Sequence, residues 1–335
     1  MSERLECVPN FSEGRDRAVI DAIGDALGAV PGARLLDVDP DADTHRTVYT
    51  VIGAPEPLLE AVFKGVQVAV RRIDLRRHRG THPRMGAADV LPFVPWQDAT
   101  MADAVALARR LGQRLGGELS LPGWFYGEAA TRPRRRLLHE VRRGEFEGLP
   151  RKMARVAPDF GPSAPHPTAG ASAVGARGVL VAFNVNLAGP AEPARAVALA
   201  RDIAAAVREY ATVRREGGRV VETTPGRLPA VRALGWWAAG YGCAQVTTNL
   251  VDWRVTPPHV LYEVVREEAR ARGADVAGSE LVGMIPWDAL AAAGRYYGGS
   301  PGTLAQAAVA GLGLDAVKPF DPDRKVIELA LMEPT

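Results

Sequence analysis

The stretch that decides the fold class is Thr47-Val48-Tyr49-Thr50-Val51-Ile52-Gly53. It is rich in β-branched residues, which favour strands. An earlier strand-like run, Arg34–Asp39, precedes it after only a short turn at Pro40–Asp43. Some strands in this chain therefore follow one another directly, while others are separated by helices. This mixture favours mixed sheets covered by helices over one doubly wound sheet.

Strand and helix signals extend outward from this stretch through both halves of the chain. Further strands are predicted at Leu5–Asn10, Val90–Pro95, Gly123–Tyr126, Gly178–Asn186, Ala244–Leu250 and Val276–Gly283. Helices are predicted at Arg17–Ala29, Pro55–Ile73, Met101–Leu119, Arg134–Gly144, Pro193–Tyr210, Pro257–Arg272 and Trp287–Tyr297. The predicted fold class is α/β (α+β layered), with two subdomains that are each a mixed β-sheet covered by helices. A cleft between two such units is a natural ligand site.

Composition narrows the class of protein. The chain has 335 residues, 47% of them hydrophobic and 24% charged, which is typical of a globular protein of about two domains. The net charge is only +2, and basic clusters such as Arg132–Arg136 lack interleaved aromatic residues, so no nucleic-acid partner is expected. Cys7 and Cys243 belong to no Cys/His cluster, which argues against a disulfide framework or a zinc site.

Targeting signals are missing from the sequence. No signal peptide is recognisable at Met1–Glu6, and no run approaches the roughly 20 apolar residues that span a bilayer. We therefore expect a cytoplasmic protein without a membrane partner.

The segment Arg79-Gly80-Thr81-His82-Pro83-Arg84-Met85-Gly86 holds the main candidate for chemistry. His82 lies in a predicted loop beside glycines and a proline, where a histidine can move a proton. His78 is its nearest rival, but it is expected at a solvated, basic helix end. A general base needs an orienting partner. Asp39 is the favoured carboxylate and Asp89 the runner-up, although a capping or turn role fits an isolated aspartate equally well.

Two other features carry open alternatives. The Pro-, Gly- and Ser-rich stretch 157–170 fits either an interdomain linker or an ordered loop that frames a ligand. Asparagine is depleted in strands, yet Asn10, Asn184, Asn186 and Asn249 fall at or inside strand-like runs. They suit either polar ligand recognition or sheet-edge hydrogen bonding. The sequence contains no Walker A loop, HExxH or GxSxG, so metal and serine hydrolysis lack support.

Ordered motifs along almost the whole chain resemble the formiminotransferase domain of formiminotransferase-cyclodeaminase and its stand-alone bacterial form. The matching segments are Glu6–Gly14, Leu36–Asp39, Arg46–Thr50, His82–Gly86, Tyr126–Ala130, Pro158–Pro162, Ala182–Leu187, Gln245–Leu250 and Pro319–Pro322. The chain departs from the vertebrate pattern at Ser163–Ala169, where vertebrate members are more aromatic.

The resemblance implies transfer of a formimino group from N-formimino-glutamate to N5 of tetrahydrofolate. Tetrahydrofolate is the co-substrate and no metal is implied. His82 corresponds to the catalytic base of the family and Asp39 to its partner. The folate-contacting segments correspond to Gly161–Gly170 and Gly226–Gly235, so stretch 157–170 becomes a binding loop as well as a hinge. Arginines bind carboxylates well, and Arg46 and Arg84 are assigned that role as a hypothesis.

The full set of residues predicted to bind substrate or folate follows from these motifs and from the strand asparagines. It is Asn10, Arg46, Arg84, Tyr126, Gly161, Pro162, Ser163, Thr168, Gly170, Asn184, Asn186, Gly226, Arg227 and Gly235.

The resemblance also implies how the chain is organised. An N-terminal subdomain at 1–176 would face a C-terminal subdomain at 177–335 across a ligand cleft. A homodimer is expected, and no cyclodeaminase domain. Two other functions stay open. One is formyl transfer from N-formylglutamate or 5-formyltetrahydrofolate, and the other is folate binding without catalysis.

Overall fold

The computed structural model describes residues 4–216 and 219–332. Within these residues the chain separates into two compact units, and the boundary lies between Gly178 and Val179. Each unit has its own main sheet and its own buried apolar core.

The first unit mixes strands and helices from its start. Its strands are β1 (Arg4–Cys7), β2 (Asn10–Phe11), β3 (Ala33–Asp41), β4 (Arg46–Gly53), β5 (Ala88–Trp96), β6 (Gly123–Gly127) and β7 (Ser172–Ala176). Its helices are α1 (Arg17–Gly28), α2 (Pro55–Arg72), α3 (Met101–Leu119), α4 (Leu138–Arg142) and α5 (Leu149–Met153), with a 3₁₀ turn at Pro133–Arg136.

These strands form one seven-stranded sheet in the order β3, β4, the line of β1 and β2, β5, β7 and β6. β1 and β2 form one line because both pair antiparallel with β4 on one side and with β5 on the other. The β5–β7 and β6–β7 pairings are parallel, so the sheet is mixed. The mixed α/β class predicted from the sequence is therefore confirmed.

Helices α1, α2 and α3 pack on one face of this sheet and bury the main core. Local sequence starts each helix. Asp16 caps α1, Pro55 begins α2, and Thr100 forms a reciprocal capping box with Asp103 in α3. Fully burying each large apolar side chain contributes roughly 1.5–3 kcal/mol, and α1 and α3 contribute Leu27 and Leu111, both fully buried, to this core.

The opposite face carries a smaller apolar cluster under α4 and α5. It contains Met85, Val90, Trp124, Tyr126, Val141, Leu149, Met153, Ala171 and Ala173. This cluster occupies the β5–β7–β6 side of the face. The β3–β4–β2 side of the same face carries polar residues, which form the site described below.

The second unit repeats the layering with antiparallel strands. Its strands are β8 (Val181–Ala188), β9 (Tyr210–Glu216), β10 (Arg219–Pro225), β11 (Val231–Ala238), β12 (Cys243–Leu250) and β13 (Asp275–Val282). Its helices are α6 (Pro193–Val207), α7 (Pro258–Arg270), α8 (Trp287–Tyr296), α9 (Leu304–Leu312), α10 (Pro322–Lys325) and α11 (Ile327–Met332), with a 3₁₀ turn at Ala239–Tyr241.

Strands β11, β12, β8 and β13 form an antiparallel sheet in that order, and β9 and β10 form a separate hairpin. Helix α6 lies directly on β11 at Gly235. A Cβ at this glycine would come within 2.4 Å of the backbone of Ala200 and Arg201. Gly235 therefore has a packing role, because only glycine allows this approach of helix to strand.

Several element predictions are wrong in detail. The predicted Leu5–Asn10 strand is interrupted after Cys7, and the predicted helix Arg134–Gly144 is broken at Leu137. The strand predicted from Gly178 begins at Val181. Strand β7 was missed because its small residues carry weak strand signals, and its position between β5 and β6 comes from long-range pairing. Strands β9, β10 and β11 and helix α9 were also not predicted.

No helix in the described segments 4–216 and 219–332 is both long enough and apolar enough to cross a membrane.

Gly235→Ala is expected to lower the stability of the second unit by about 1–3 kcal/mol, the usual range for overpacking. The matched control is Gly117→Ala in α3, where a new Cβ meets nothing within 4 Å. It should raise stability by about 1 kcal/mol through helix propensity. Thermal unfolding of both variants beside the unmodified chain measures the two effects. Equal melting temperatures for Gly235→Ala and the unmodified chain would contradict the close packing.

Candidate active site on the first unit

Strand register places three of the predicted site residues on one face of the first sheet. Val48 of β4 pairs with Asn10 on one side and with Asp39 on the other. Directly paired residues share a face, as do residues two apart on a strand. Asn10, Asp39 and Arg46 therefore lie on the face opposite α1, α2 and α3. Asp39 is half-buried there.

A β-bulge inserts Asp89 next to this group. Phe11 pairs with Ala88 and Asn10 pairs with Val90, so Asp89 is the additional residue on β5. Its carboxylate is fully buried. Oδ1 accepts hydrogen bonds from the Met85 amide at 2.7 Å and the Gly86 amide at 3.3 Å.

Two guanidinium groups meet the other oxygen of Asp89. Arg46 Nη1 lies 2.7 Å from Oδ2, and Arg142 Nη2 lies 2.9 Å from the same atom. Burial alone would raise the pKa of Asp89, but Arg142 and Arg46 together hold the pKa well below its usual range. Asp89 is therefore an anion at every pH at which the protein would work. The sequence analysis favours Asp39 over Asp89 as the carboxylate partner of His82.

Arg46 forms hydrogen bonds both with a strand residue and with the loop that carries His82. Its Nε and Nη2 donate to Asn10 Oδ1 at 3.3 and 2.9 Å, and Nη1 also donates to the Pro83 carbonyl at 3.4 Å. The side chain is buried. Breaking a buried ion pair by removing one partner costs about 3–5 kcal/mol, so Arg46 supports the fold around the site.

His82 is half-buried beside this charged cluster. Its Nδ1 lies 2.7 Å from the Pro83 carbonyl oxygen. A carbonyl can only accept, so Nδ1 carries the proton and Nε2 keeps the lone pair. Burial, followed by the positive charges of Arg46 and Arg142, lowers the pKa of His82 to about 3. The imidazole is therefore neutral near pH 7. The role of Asp39 as its orienting partner stays a prediction.

A second network underlies the same loop. His78 Nε2 donates to the His45 carbonyl at 2.8 Å, and the two imidazole rings stack with centroids 4.2 Å apart. His78 Nδ1 accepts from Arg84 Nε at 3.2 Å. The expectation of a solvated His78 is wrong, because its side chain is buried and desolvation lowers its pKa to about 4.

Arg84 is engaged within this network. Its Nη1 and Nη2 donate to the Glu147 carboxylate at 2.8 and 2.6 Å, and Glu145 lies 3.4 Å from Nη1. Intramolecular carboxylates thus occupy the guanidinium that was assigned to a substrate carboxylate. That assignment stays a prediction, and the observed contacts give Arg84 a role in holding the loop.

The loop 161–170 belongs to the first unit and packs against the His82 segment. Ala87 N donates to Ala169 O at 2.9 Å, and Ala171 N donates to Met85 O at 3.1 Å. Gly170 has a φ of +71° and would place a Cβ 2.2 Å from Met85 O, so glycine is required there. For stretch 157–170, the sequence left open either an interdomain linker or an ordered loop. These contacts agree with an ordered loop, and the linker interpretation is wrong.

The remaining predicted residues of the first unit differ in exposure. Gly161, Pro162 and Ser163 are exposed, and Thr168 is half-buried with its carbonyl accepting from Leu75 N at 2.9 Å. Tyr126 lies buried over Gly175 on the same face as Asn10, and burial raises its pKa to about 12.

Asn184 and Asn186 form a buried polar network within the second unit. Asn184 donates to Glu280 at 3.2 Å, and Asn186 accepts from Gln245 at 2.9 Å. Gln245 also donates to Glu280 at 3.0 Å. Both asparagines face the same side of the sheet, as predicted from their spacing.

Gly226 and Arg227 have partners inside the second unit. A Cβ at Gly226 would meet the Arg208 carbonyl, and Arg227 pairs with Glu267 and Glu268 of α7 at 2.6 and 2.8 Å. These contacts, like the helix packing at Gly235, are structural. Folate binding by these three residues stays a prediction.

Arg142 is the site residue that sequence reasoning missed. It lies in a basic segment predicted as one exposed helix, and nothing in its spacing marks it. In the described parts of the chain, 4–216 and 219–332, no group of three His, Cys, Asp or Glu side chains could hold a metal ion.

Comparisons with known proteins agree with this architecture. Residues 4–177 match the model of the formiminotransferase domain, N-terminal subdomain, and residues 182–332 match that of the formiminotransferase domain. The chain is 38% identical to glutamate formimidoyltransferase of Streptococcus pyogenes serotype M1, over 89% of this chain and 94% of that protein. The corresponding values for glutamate formimidoyltransferase of Thermoplasma acidophilum are 40%, 88% and 91%.

A longer relative matches over almost the whole chain. Formimidoyltransferase-cyclodeaminase of Rattus norvegicus is 44% identical over 98% of this chain. The match covers 60% of that protein, so the chain spans about three fifths of its length.

The neutral histidines predict an acid-sensitive fold. The folded-state pKa of His78, about 4, lies below the ordinary value of 6.5. Between pH 4 and pH 6.5, His78 is therefore protonated in the unfolded chain but neutral in the native chain. Stability should fall as pH falls below about 6.5, by about 2 kcal/mol at pH 5 for His78. His78→Gln should lose that part of the pH dependence, measured by urea unfolding at pH 7 and pH 5.

The same two proteins compared between pH 7 and pH 8 serve as the control, because His78 is neutral there in the folded chain and largely neutral in the unfolded chain. An unchanged difference in stability between pH 7 and pH 5 in His78→Gln would contradict a neutral, buried His78.

Proposed function

The chain belongs to the formiminotransferase family, and from this premise we propose that it transfers the formimino group of N-formimino-L-glutamate to N5 of tetrahydrofolate. The observation that carries the proposal is a neutral His82 whose Nδ1 is bound to the Pro83 carbonyl, beside the buried Arg46 and the half-buried Arg142. Relatives named glutamate formimidoyltransferase, matched over more than nine tenths of their length, supply the reaction.

In the proposed reaction N5 of tetrahydrofolate attacks the formimino carbon. A new N5–C bond forms while the π bond of the C=N group opens and its electron pair moves to the imino nitrogen. N5 gives up its proton to the neutral imidazole of His82, with Nε2 as the proposed accepting nitrogen. The tetrahedral intermediate then collapses: the electron pair of the imino nitrogen re-forms the C=N bond, and the bond between the formimino carbon and the glutamate nitrogen breaks. The imidazolium returns the proton to that nitrogen, so glutamate leaves and His82 is neutral again. General acid–base catalysis of this kind contributes roughly 10²–10⁴-fold.

The surroundings of His82 suit this cycle. The Pro83 carbonyl holds Nδ1–H and so keeps Nε2 directed as the base throughout. The low pKa of the imidazole means that protonation by solvent does not remove the base near pH 7. Asp39, on the same sheet face as Asn10 and Arg46, is the proposed second carboxylate that stabilises the imidazolium.

Folate is proposed to contact the loop 161–170, which packs beside the His82 segment, together with residues of the second unit. Tetrahydrofolate acts as co-substrate in this proposal. A ligand cleft between the units, a homodimer and a cytoplasmic location remain predictions of the family resemblance.

His82→Ala should lower kcat by about 10²–10⁴-fold because the base and the acid are lost together. Folate affinity should change little, since the ring is not proposed to bind the pterin. The assay is the absorbance of formimino-tetrahydrofolate formed from formiminoglutamate, with folate binding followed by calorimetry. His259→Ala, a second-unit histidine stacked on Tyr296, is the matched control and should keep normal turnover.

Full turnover by His82→Ala would refute the assignment of the base. Parallel assays with N-formylglutamate and 5-formyltetrahydrofolate test the donor. A protein that uses only a formyl donor would overturn the formimino assignment, and folate binding without turnover on any donor would overturn catalysis.

A further inference from the structure

Arg142 ends the short helix α4 and is the least engaged buried cation of the site. Nη2 lies 2.9 Å from Asp89 Oδ2, and only 13% of the side chain is exposed. Its Nε–H is buried and has no hydrogen-bond partner among residues 4–216 and 219–332. An unpaired buried donor costs about 1–3 kcal/mol, or more when it is charged. A polar ligand at this position would remove that cost.

Charge counting points to the same residue. Asp89 supplies one negative charge, while Arg46 and Arg142 supply two positive charges, and His82 is neutral. Four donors already meet the Asp89 carboxylate: two backbone amides and the two guanidinium groups. Arg46, Arg142 and Asp89 taken together therefore carry one excess positive charge.

Of the two arginines, Arg142 rather than Arg46 retains a donor that no group in the described parts of the chain accepts. Arg46 uses Nε, Nη1 and Nη2 on Asn10, Pro83 and Asp89. Arg84, the other arginine near this loop, is neutralised by Glu145 and Glu147. Arg142 alone of these three keeps a buried N–H without an acceptor.

We propose that Arg142 binds the α-carboxylate of the formimino-amino acid and so positions the donor against His82. The assignment rests on the proposed function. The Nε–H and an Nη–H form the planar fork that a carboxylate accepts side-on. The α-carboxylate is the better fit of the two carboxylates of the donor. It is bonded to the carbon that bears the departing nitrogen, and His82 must reach that nitrogen.

An electrostatic consequence follows for the base. The positive charges of Arg46 and Arg142 contribute to the low pKa of His82 in the free protein. A bound carboxylate neutralises the excess charge, so the pKa of His82 rises when the donor is present. Arg142 is thus a positioning residue that also makes His82 a stronger base only in the complex.

The first test compares Arg142→Met with Arg143→Met, a change of the exposed neighbour that pairs with Glu140. Loss of a charge-assisted bond should raise KM for formiminoglutamate by about 10- to 100-fold in Arg142→Met. KM for tetrahydrofolate should stay within about twofold, and Arg143→Met should match the unmodified chain. Arg142→Lys, which keeps the charge without the fork, should be intermediate.

Glutamate binding measured by calorimetry gives a readout independent of turnover. The unmodified chain and Arg143→Met should bind glutamate with equal affinity, and Arg142→Met should bind it at least about tenfold more weakly. Circular dichroism confirms that each variant is folded, and Arg142→Lys retains a cation for Asp89 if the methionine variant is not folded.

Donor analogues assign the carboxylate. N-formimino-4-aminobutanoate lacks the α-carboxylate, and N-formiminoglutamine lacks the γ-carboxylate. The unmodified chain should strongly prefer formiminoglutamate to N-formimino-4-aminobutanoate. Arg142→Met should lose most of that preference while still preferring formiminoglutamate to N-formiminoglutamine. Loss of the second preference instead would overturn the α-carboxylate assignment.

Failure of the inference is separable from failure of the proposed function. If the unmodified chain transfers no formimino group, the proposed function fails. If it does transfer the group, while Arg142→Met keeps the KM, the glutamate affinity and the donor preference, only the role of Arg142 is refuted.

Discussion

The site depends on the hydrogen bonds and ion pairs of the buried Asp89 carboxylate. Asp89, the single bulge residue on β5, accepts hydrogen bonds from two backbone amides of the preceding loop and pairs with two guanidinium groups from β4 and α4. Removing one partner of such a pair leaves an uncompensated charge, at a cost of about 3–5 kcal/mol. The same contacts fix the turn at Met85 and Gly86 and therefore the direction from which His82 approaches the sheet.

Around this anchor, backbone contacts rather than side-chain packing set the shape of the site. The Pro83 carbonyl receives both His82 Nδ1 and Arg46 Nη1, and loop 161–170 forms backbone hydrogen bonds with the residues after Arg84. Gly170 permits that approach because its φ is positive and its Cβ position would collide with Met85 O. His82 is therefore preorganised, since the Pro83 carbonyl that holds it is itself bound by Arg46 of the sheet.

The three arginines near this loop differ in how their charges are neutralised. Arg84 is neutralised by two glutamates and supports the loop with His78, whereas Arg46 and Arg142 share a single aspartate. The first arrangement is complete within the protein. The second leaves a positive charge beside a neutral imidazole, and the proposed anionic substrate would neutralise that charge.

The sequence by itself determined the mixed α/β class and most helices, because periodicity, caps and turn residues act locally. The functional role of the His82 segment stays a prediction from the sequence. Family motifs and the strand asparagines also marked Asn10 and Arg46 as predicted binding residues, and the structure places both on the same sheet face as Asp39. Only the tertiary structure decided that β7 enters the sheet, that His78 is buried, that Arg84 is already paired and that Arg142 meets Asp89. Those facts depend on residues 6 to 84 positions apart coming into contact. Burial and the pairing of charges are properties of the whole fold and leave no mark in local sequence.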